Sequence, residues 1–195
     1  MCEELLKKSV NAWDTYNEEE FNEVFQLGDR YKDFITRCKT ERECVEELIA
    51  QAEKKGYRSL KSIVENKESL KAGDKIYAAH MGKTLMLVAI GTNDIDKGMR
   101  ILGSHIDSPR LDLKQNPLYE DSDLALMETH YYGGVKKYQW VALPLAIHGV
   151  VAKKNGEVLS VVIGEDEKDP VIGVSDLLIH LSADQLAKKA SNVVE

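Results

Sequence analysis

Residues 102–110 read Leu-Gly-Ser-His-Ile-Asp-Ser-Pro-Arg, and the reading of this stretch decides the fold. Met99, Ile101 and Leu102 give residues 99–107 the apolar first half of a buried strand, and Ser108-Pro109 follows as a turn signal. On a strand, residues two apart point to the same face, so His105 and Asp107 project together while Ile106 packs the other way. The carboxyl end of a buried strand is where open α/β sheets gather their chemistry. An imidazole placed there suits a metal ion, and a nearby carboxylate orients the ring or polarises a catalytic group. The His-x-Asp pattern is short, and a strand-end pair satisfied by loop amides is its commoner explanation.

Upstream, Phe21, Val24, Phe25, Tyr31, Phe34 and Cys38 recur at helical spacings and predict an amphipathic helix over 18–38 with one buried face, mildly weakened by Gly28. Thr40-Glu41-Arg42-Glu43 reads as a capping box that starts a second helix, with Val45, Leu48, Ile49 and Ala52 as its apolar stripe and Gly56 as its end. After a polar passage over 65–73, Lys-Ile-Tyr-Ala-Ala-His (75–80) and Thr-Leu-Met-Leu-Val-Ala-Ile-Gly (84–91) predict two strands of a hairpin. Its turn, Met81-Gly82-Lys83, runs into Thr84 like the tail of a phosphate loop. Tyr77 stands where that loop needs its first glycine, so the hairpin turn explains the pattern. Residues 91–98 are a loop by composition.

Downstream, residues 117–140 are rich in aromatics and lack helical periodicity. Asn155-Gly156 lies between two valine-rich runs and predicts a type I′ hairpin, because both residues tolerate positive φ. An acidic loop over 164–170 leads to a predicted helix over 174–190, capped by Ser175 or Asp176.

Composition bounds the function. A net charge of -7 argues against a nucleic-acid backbone as the main partner, which leaves Lys136-Lys137 and Lys153-Lys154 as solvated surface. No apolar run is long enough for a membrane span, and the start, MCEELLKKSV, lacks a signal-peptide pattern, so a cytoplasmic protein is expected. Three scattered cysteines suggest neither a disulfide framework nor a thiolate zinc site; Cys38 and Cys44 read as small buried apolar residues. Among the other histidines, His80 is expected to be exposed in its turn and His148 to sit on a sheet surface. His130 reads equally as a buried hydrogen-bonding residue or a ligand, and His180 as a satisfied histidine in the last helix. The residues alone reach a soluble α/β protein with one strand-end candidate for a metal ligand.

Three separated blocks go further. GSHIDSPRLDLKQNPLYED (103–121), ETHYYGGVKKYQWVALPLAIHG (128–149) and IGEDEKDPVIGVSDLLIHL (163–181) closely resemble, in order, the M18 metallopeptidases of the aspartyl-aminopeptidase type in a bacterial form. The resemblance implies an α/β fold in which residues 1–117 are the N-terminal part of a zinc-peptidase-like catalytic domain, with helices and a mixed sheet. Residues 118–195 would begin an inserted β-rich oligomerisation domain. It further implies a metal-dependent aminopeptidase acting on peptides, with two divalent ions, typically zinc and alternatively cobalt or manganese. The ions would polarise the peptide carbonyl and activate a water. His105 matches a metal ligand and Asp107 the carboxylate that supports it. His180 matches a histidine that reaches a neighbouring subunit's active site in a homo-oligomer and stabilises the oxyanion. A preference for acidic N-terminal residues is also implied.

The departure from the family is equally specific: no adjacent Glu-Glu follows residue 110. The pairs at Glu3-Glu4, Glu18-Glu19-Glu20 and Glu46-Glu47 precede the His105 stretch and read as solvated helix faces. An N-terminal portion of a longer peptidase, inactive by itself, is therefore expected. The alternatives are a non-catalytic oligomerisation or regulatory piece, and a small-molecule-binding α/β module in which His105 and Asp107 are structural.

Overall fold

The computed structural model describes residues 9–194; Cys2, Glu3-Glu4 and the leading segment lie outside them. Two capped helices open the fold. α1 (Glu18–Arg37) begins with reciprocal hydrogen bonds between Asn17 and Glu20. α2 (Glu41–Lys54) begins with the Thr40–Glu43 box, which satisfies amides that the first turn leaves unpaired. Gly56, at φ 84°, ends α2 with the Tyr57 amide bonded back to the Ala52 carbonyl at 3.0 Å.

The expected buried face of α1 is not covered. No α1 residue is buried, and Phe25 and Tyr31 are 57% and 62% exposed. The stripe instead gathers a local aromatic cluster, with Trp13 5.7 Å from Phe21 and Phe21 4.9 Å from Phe25. Periodicity selects a helix and its apolar face, but a second layer has to cover that face before it becomes core.

The core that does form lies around α2. Cys38, Cys44, Val45, Ala52, Ile63 and Ile76 are buried there, which confirms both cysteines as apolar packing residues. β1 (Arg58–Ser59) leads into the short α3 (Leu60–Glu65) and pairs in parallel with β2 (Lys75–His80). β2 forms the expected antiparallel hairpin with β3 (Thr84–Ala89), giving the order β1-β2-β3. Met81 and Gly82 both take positive φ in its turn, and Arg42 of α2 donates to the Met81 carbonyl at 2.9 Å.

Residues 99–107 are not a strand. They run unpaired, and Leu102 is 101% exposed. A strand exists only where neighbours accept its N–H and C=O groups, and none of the described strands pairs with this stretch.

The second half is built from hairpins. β4 (Arg110–Asp121) pairs with β5 (Leu124–Tyr132) through a two-residue turn in which Ser122 and Asp123 take φ 53° and 60°. The register shifts between Leu113 and Leu118, and this irregularity accommodates Pro117, which has no N–H for the ladder. β6 (Pro144–Leu145) pairs with β9 (Ile172–Gly173), and β7 (Ile147–Ala152) with β8 (Val158–Ile163).

The β7–β8 hairpin lies where Asn155-Gly156 predicts it, but its turn is of another kind. The Gly156 amide bonds to the Lys153 carbonyl at 3.0 Å and the Lys153 amide to the Glu157 carbonyl at 2.8 Å, and only Gly156 has positive φ. This is a three-residue loop with a glycine bulge, in which Asn155 accepts the Glu157 amide at 3.1 Å and needs no left-handed backbone.

The predicted helix over 174–190 is also broken up. A 3-10 turn covers Ile179–Leu181 and α4 only Ala183–Leu186. Asp176 bonds the Leu177 amide at 2.8 Å and Gln185 at 3.1 Å, so a side chain competes with helical pairing. Leu177, Leu178, Ile179 and Leu181 stay exposed, and without packing a short helix is marginal.

Candidate metal centre

Although residues 99–107 form no strand, His105 and Asp107 do come together. His105 Nδ1 lies 3.1 Å from the Asp107 carbonyl and 3.2 Å from its Oδ1. Both neighbours are acceptors, so Nδ1 carries the hydrogen, and in the neutral ring Nε2 is left with its lone pair. The other carboxylate oxygen, Oδ2, accepts the Tyr132 hydroxyl at 2.9 Å. The Tyr132 hydrogen bond, the Asp107 main-chain amide and His105 hold the Asp107 carboxyl below the usual range, and the same bond raises the Tyr132 phenol.

β4 and β5 place these groups. Arg110 and Tyr132 are register partners at one end of the hairpin, and the Arg110 guanidinium stacks 4.1 Å from the Tyr132 ring centre. Its Nε donates to Asp112 at 2.7 Å and its Nη1 to Glu41 of α2 at 2.9 Å. The Cys44 thiol of α2 lies 3.7 Å from the Ile106 carbonyl between the pair. The unpaired loop is therefore tied to α2 on one side and to the hairpin on the other.

His105 fits the donor chemistry of a divalent metal: a neutral imidazole with an orienting carboxylate on one nitrogen and the other nitrogen unengaged among the described residues. Its side chain is 84% exposed. Ligand number is a different matter. Among the described residues no group of three or more His, Cys, Asp or Glu side chains is placed to hold an ion. The arrangement supplies one ligand and its support, not a closed site.

His180, expected in a helix, lies exposed in the 3-10 turn, and no hydrogen bond or ion pair joins it to His105 or Asp107 among the described residues. His80 is exposed as expected, and His130 is exposed against Tyr131 rather than buried. Sequence reasoning missed Tyr132 and Arg110, which come from hairpin pairing, and undervalued His148. That ring is 11% exposed and bridges Glu43 at 2.7 Å and Glu165 at 2.9 Å. No local spacing signals a contact between residues so far apart in the chain.

Comparison with known proteins defines the setting. The family model described as aminopeptidase I zinc metalloprotease (M18) matches residues 34–195. A relative from Clostridium acetobutylicum named "Probable M18 family aminopeptidase 1" is 62% identical over 195 residues, which are 100% of this chain and 42% of that one. The crystal structure of aminopeptidase I from Clostridium acetobutylicum matches with a TM-score of 0.82 at 60% identity, over 97% of this chain and 41% of that one. The structure of the S. cerevisiae mApe1 dodecamer matches with a TM-score of 0.63 at 25% identity, over 77% of this chain and 36% of that one. The chain thus spans about 40% of the length of such relatives and is similar to their N-terminal portion. Motif order, fold and family match agree: the chain belongs to the M18 family of zinc metalloproteases.

Proposed function

We propose that the protein to which these residues contribute is a metal-dependent aminopeptidase that removes N-terminal residues, acidic ones by preference, from peptides in the cytoplasm. The observation that carries this reading is the His105–Asp107 pair, a neutral imidazole turned by a carboxylate, inside a chain of the M18 family. Bound divalent ions, two of them and typically zinc, would polarise the scissile carbonyl and lower the pKa of the attacking water. His105 provides one ligand nitrogen to them. Asp107 keeps the hydrogen on Nδ1 and so keeps Nε2 available.

Residues 1–117 and 118–195 are proposed as parts of a catalytic and an inserted oligomerisation domain; β4 spans that boundary, with its register shift between Leu113 and Leu118 beside it. His180 is proposed to serve a neighbouring subunit in a homo-oligomer as a hydrogen-bond donor to the substrate oxyanion. Its exposure supports this role. The described residues supply too few ligands for a centre, so the chain by itself is proposed to be inactive.

The test compares this chain with the protein at its relatives' length, measuring bound metal and release of N-terminal residues from a peptide series. Metal and activity in the longer protein, both lost in His105→Ala, are expected. Stoichiometric metal with hydrolysis by this chain alone, or an active His105→Ala protein, would overturn the reading.

A further inference from the structure

We infer that Tyr132 is a positioning residue for His105, and that the open end of the β4–β5 hairpin sets the orientation of this metal ligand. The inference rests on the proposed role of His105. The two carboxylate oxygens of Asp107 are engaged separately, with Oδ1 facing His105 Nδ1 at 3.2 Å and Oδ2 accepting from Tyr132 at 2.9 Å. A carboxylate held at one end only would rotate about its last bond. Asp107 is 36% exposed on a stretch with no ladder bonds, so within its own segment only its main-chain amide and His105 oppose that rotation.

Tyr132 supplies the resistance because it is itself held. It belongs to β5, it is the register partner of Arg110, and the guanidinium covers its ring at 4.1 Å. Arg110 in turn is fixed by Asp112 at 2.7 Å and by Glu41 at 2.9 Å. A continuous series of directional contacts therefore runs from the first turn of α2 through both strands of the hairpin to the imidazole. Its output is the placement of the Asp107 carboxylate, which together with the Asp107 carbonyl at 3.1 Å keeps the hydrogen on His105 Nδ1 and a lone pair on Nε2. A tyrosine that merely capped a strand end would have no influence on that tautomer.

The experiment uses this chain labelled with nitrogen-15, at a pH about two units above the ordinary imidazole pKa of about 6.5. Imidazole nitrogen shifts report the tautomer of His105, and titration with Zn2+ alone reports access to Nε2. The wild-type chain is expected to show mainly the Nδ1–H form and a Zn2+-dependent change at Nε2. Tyr132→Phe keeps the ring and its stack on Arg110; it is expected to shift His105 toward the other tautomer and to weaken Zn2+ by roughly tenfold. Tyr119→Phe, on the same hairpin, is expected to change neither. Arg110→Lys, which keeps the charge and loses the stack, should shift the tautomer in the same direction and gives a second readout if Tyr132→Phe fails to fold. Unchanged His105 shifts in a folded Tyr132→Phe chain would overturn the inference. A shifted tautomer in Tyr132→Phe, with metal and activity kept by His105→Ala in the protein at its relatives' length, would instead overturn the reading of His105 as a ligand.

Discussion

His148 Nδ1 lies 2.7 Å from Glu43 Oε1, a contact between residues 105 apart in sequence that joins β7 to the capping box of α2. Glu43 uses its other oxygen for the Lys39 and Thr40 amides, both at 2.8 Å, so one carboxylate closes the helix start and anchors the β-rich half.

This contact makes stability depend on pH. Burial opposes a charged imidazole at His148, but its hydrogen bonds to Glu43 and Glu165 outweigh that and raise its pKa above 6.5. A raised pKa stabilises fully below 6.5, and the contribution is lost as pH rises through the folded value. Glu43 has the opposite sign. Burial opposes its charge, the hydrogen bonds of His148 and the two amides prevail, and its pKa falls below 4.5, so its contribution is lost as pH drops through that lower value. Urea midpoints should therefore decline above about pH 6.5 and at strongly acid pH. His148→Ala should cost about 1–3 kcal/mol near pH 6 and remove the alkaline decline.

Packing in the formed core contrasts with the open apolar stretch. Val45 is 1% exposed, and Val45→Ala should cost about 2 kcal/mol from lost transfer energy and the cavity left behind. Leu102 is fully exposed, and Leu102→Ala should change the stability of this chain by less than about 0.5 kcal/mol. Thermal denaturation of the two variants checks the contrast.

Cys38 should be a poor nucleophile. Burial first, then the nearby Cys44 and Glu47, push its thiol up to about 11 from 9.0. At pH 8 the thiolate is roughly 100-fold scarcer than in an unshifted cysteine. Alkylation followed by mass spectrometry should show Cys38 modified slowly in the native chain and quickly in denaturant.

Two glycines separate backbone conformation from crowding. Gly156 has φ 87° with open space where a Cβ would stand, so Gly156→Ala should cost about 1–2 kcal/mol. Gly164 has φ 101° and would bring a Cβ to 2.9 Å from the Leu145 carbonyl oxygen. Gly164→Ala should cost more than Gly156→Ala and loosen the end of the β7–β8 hairpin, as amide hydrogen exchange would show.

Local order was legible in the sequence wherever neighbouring residues create it. The Thr40–Glu43 box, the glycine that ends α2, the turn over 81–83 and the location of the 155–156 hairpin all arise from contacts within a few residues. So did the nearness of His105 and Asp107, which two residues' separation secures even without a strand. The β4–β5 turn was not legible, because Ser122 and Asp123 take positive φ without glycine, and the ladder around them makes that conformation worthwhile. Tertiary structure alone decided which apolar faces became core: Val45 found a second layer, whereas Phe25 and Leu102 did not. It alone brought Tyr132 and Arg110 to Asp107, and His148 to Glu43. Periodicity and caps are properties of short segments, but burial, strand pairing and a supported ligand require a partner that only the folded chain supplies.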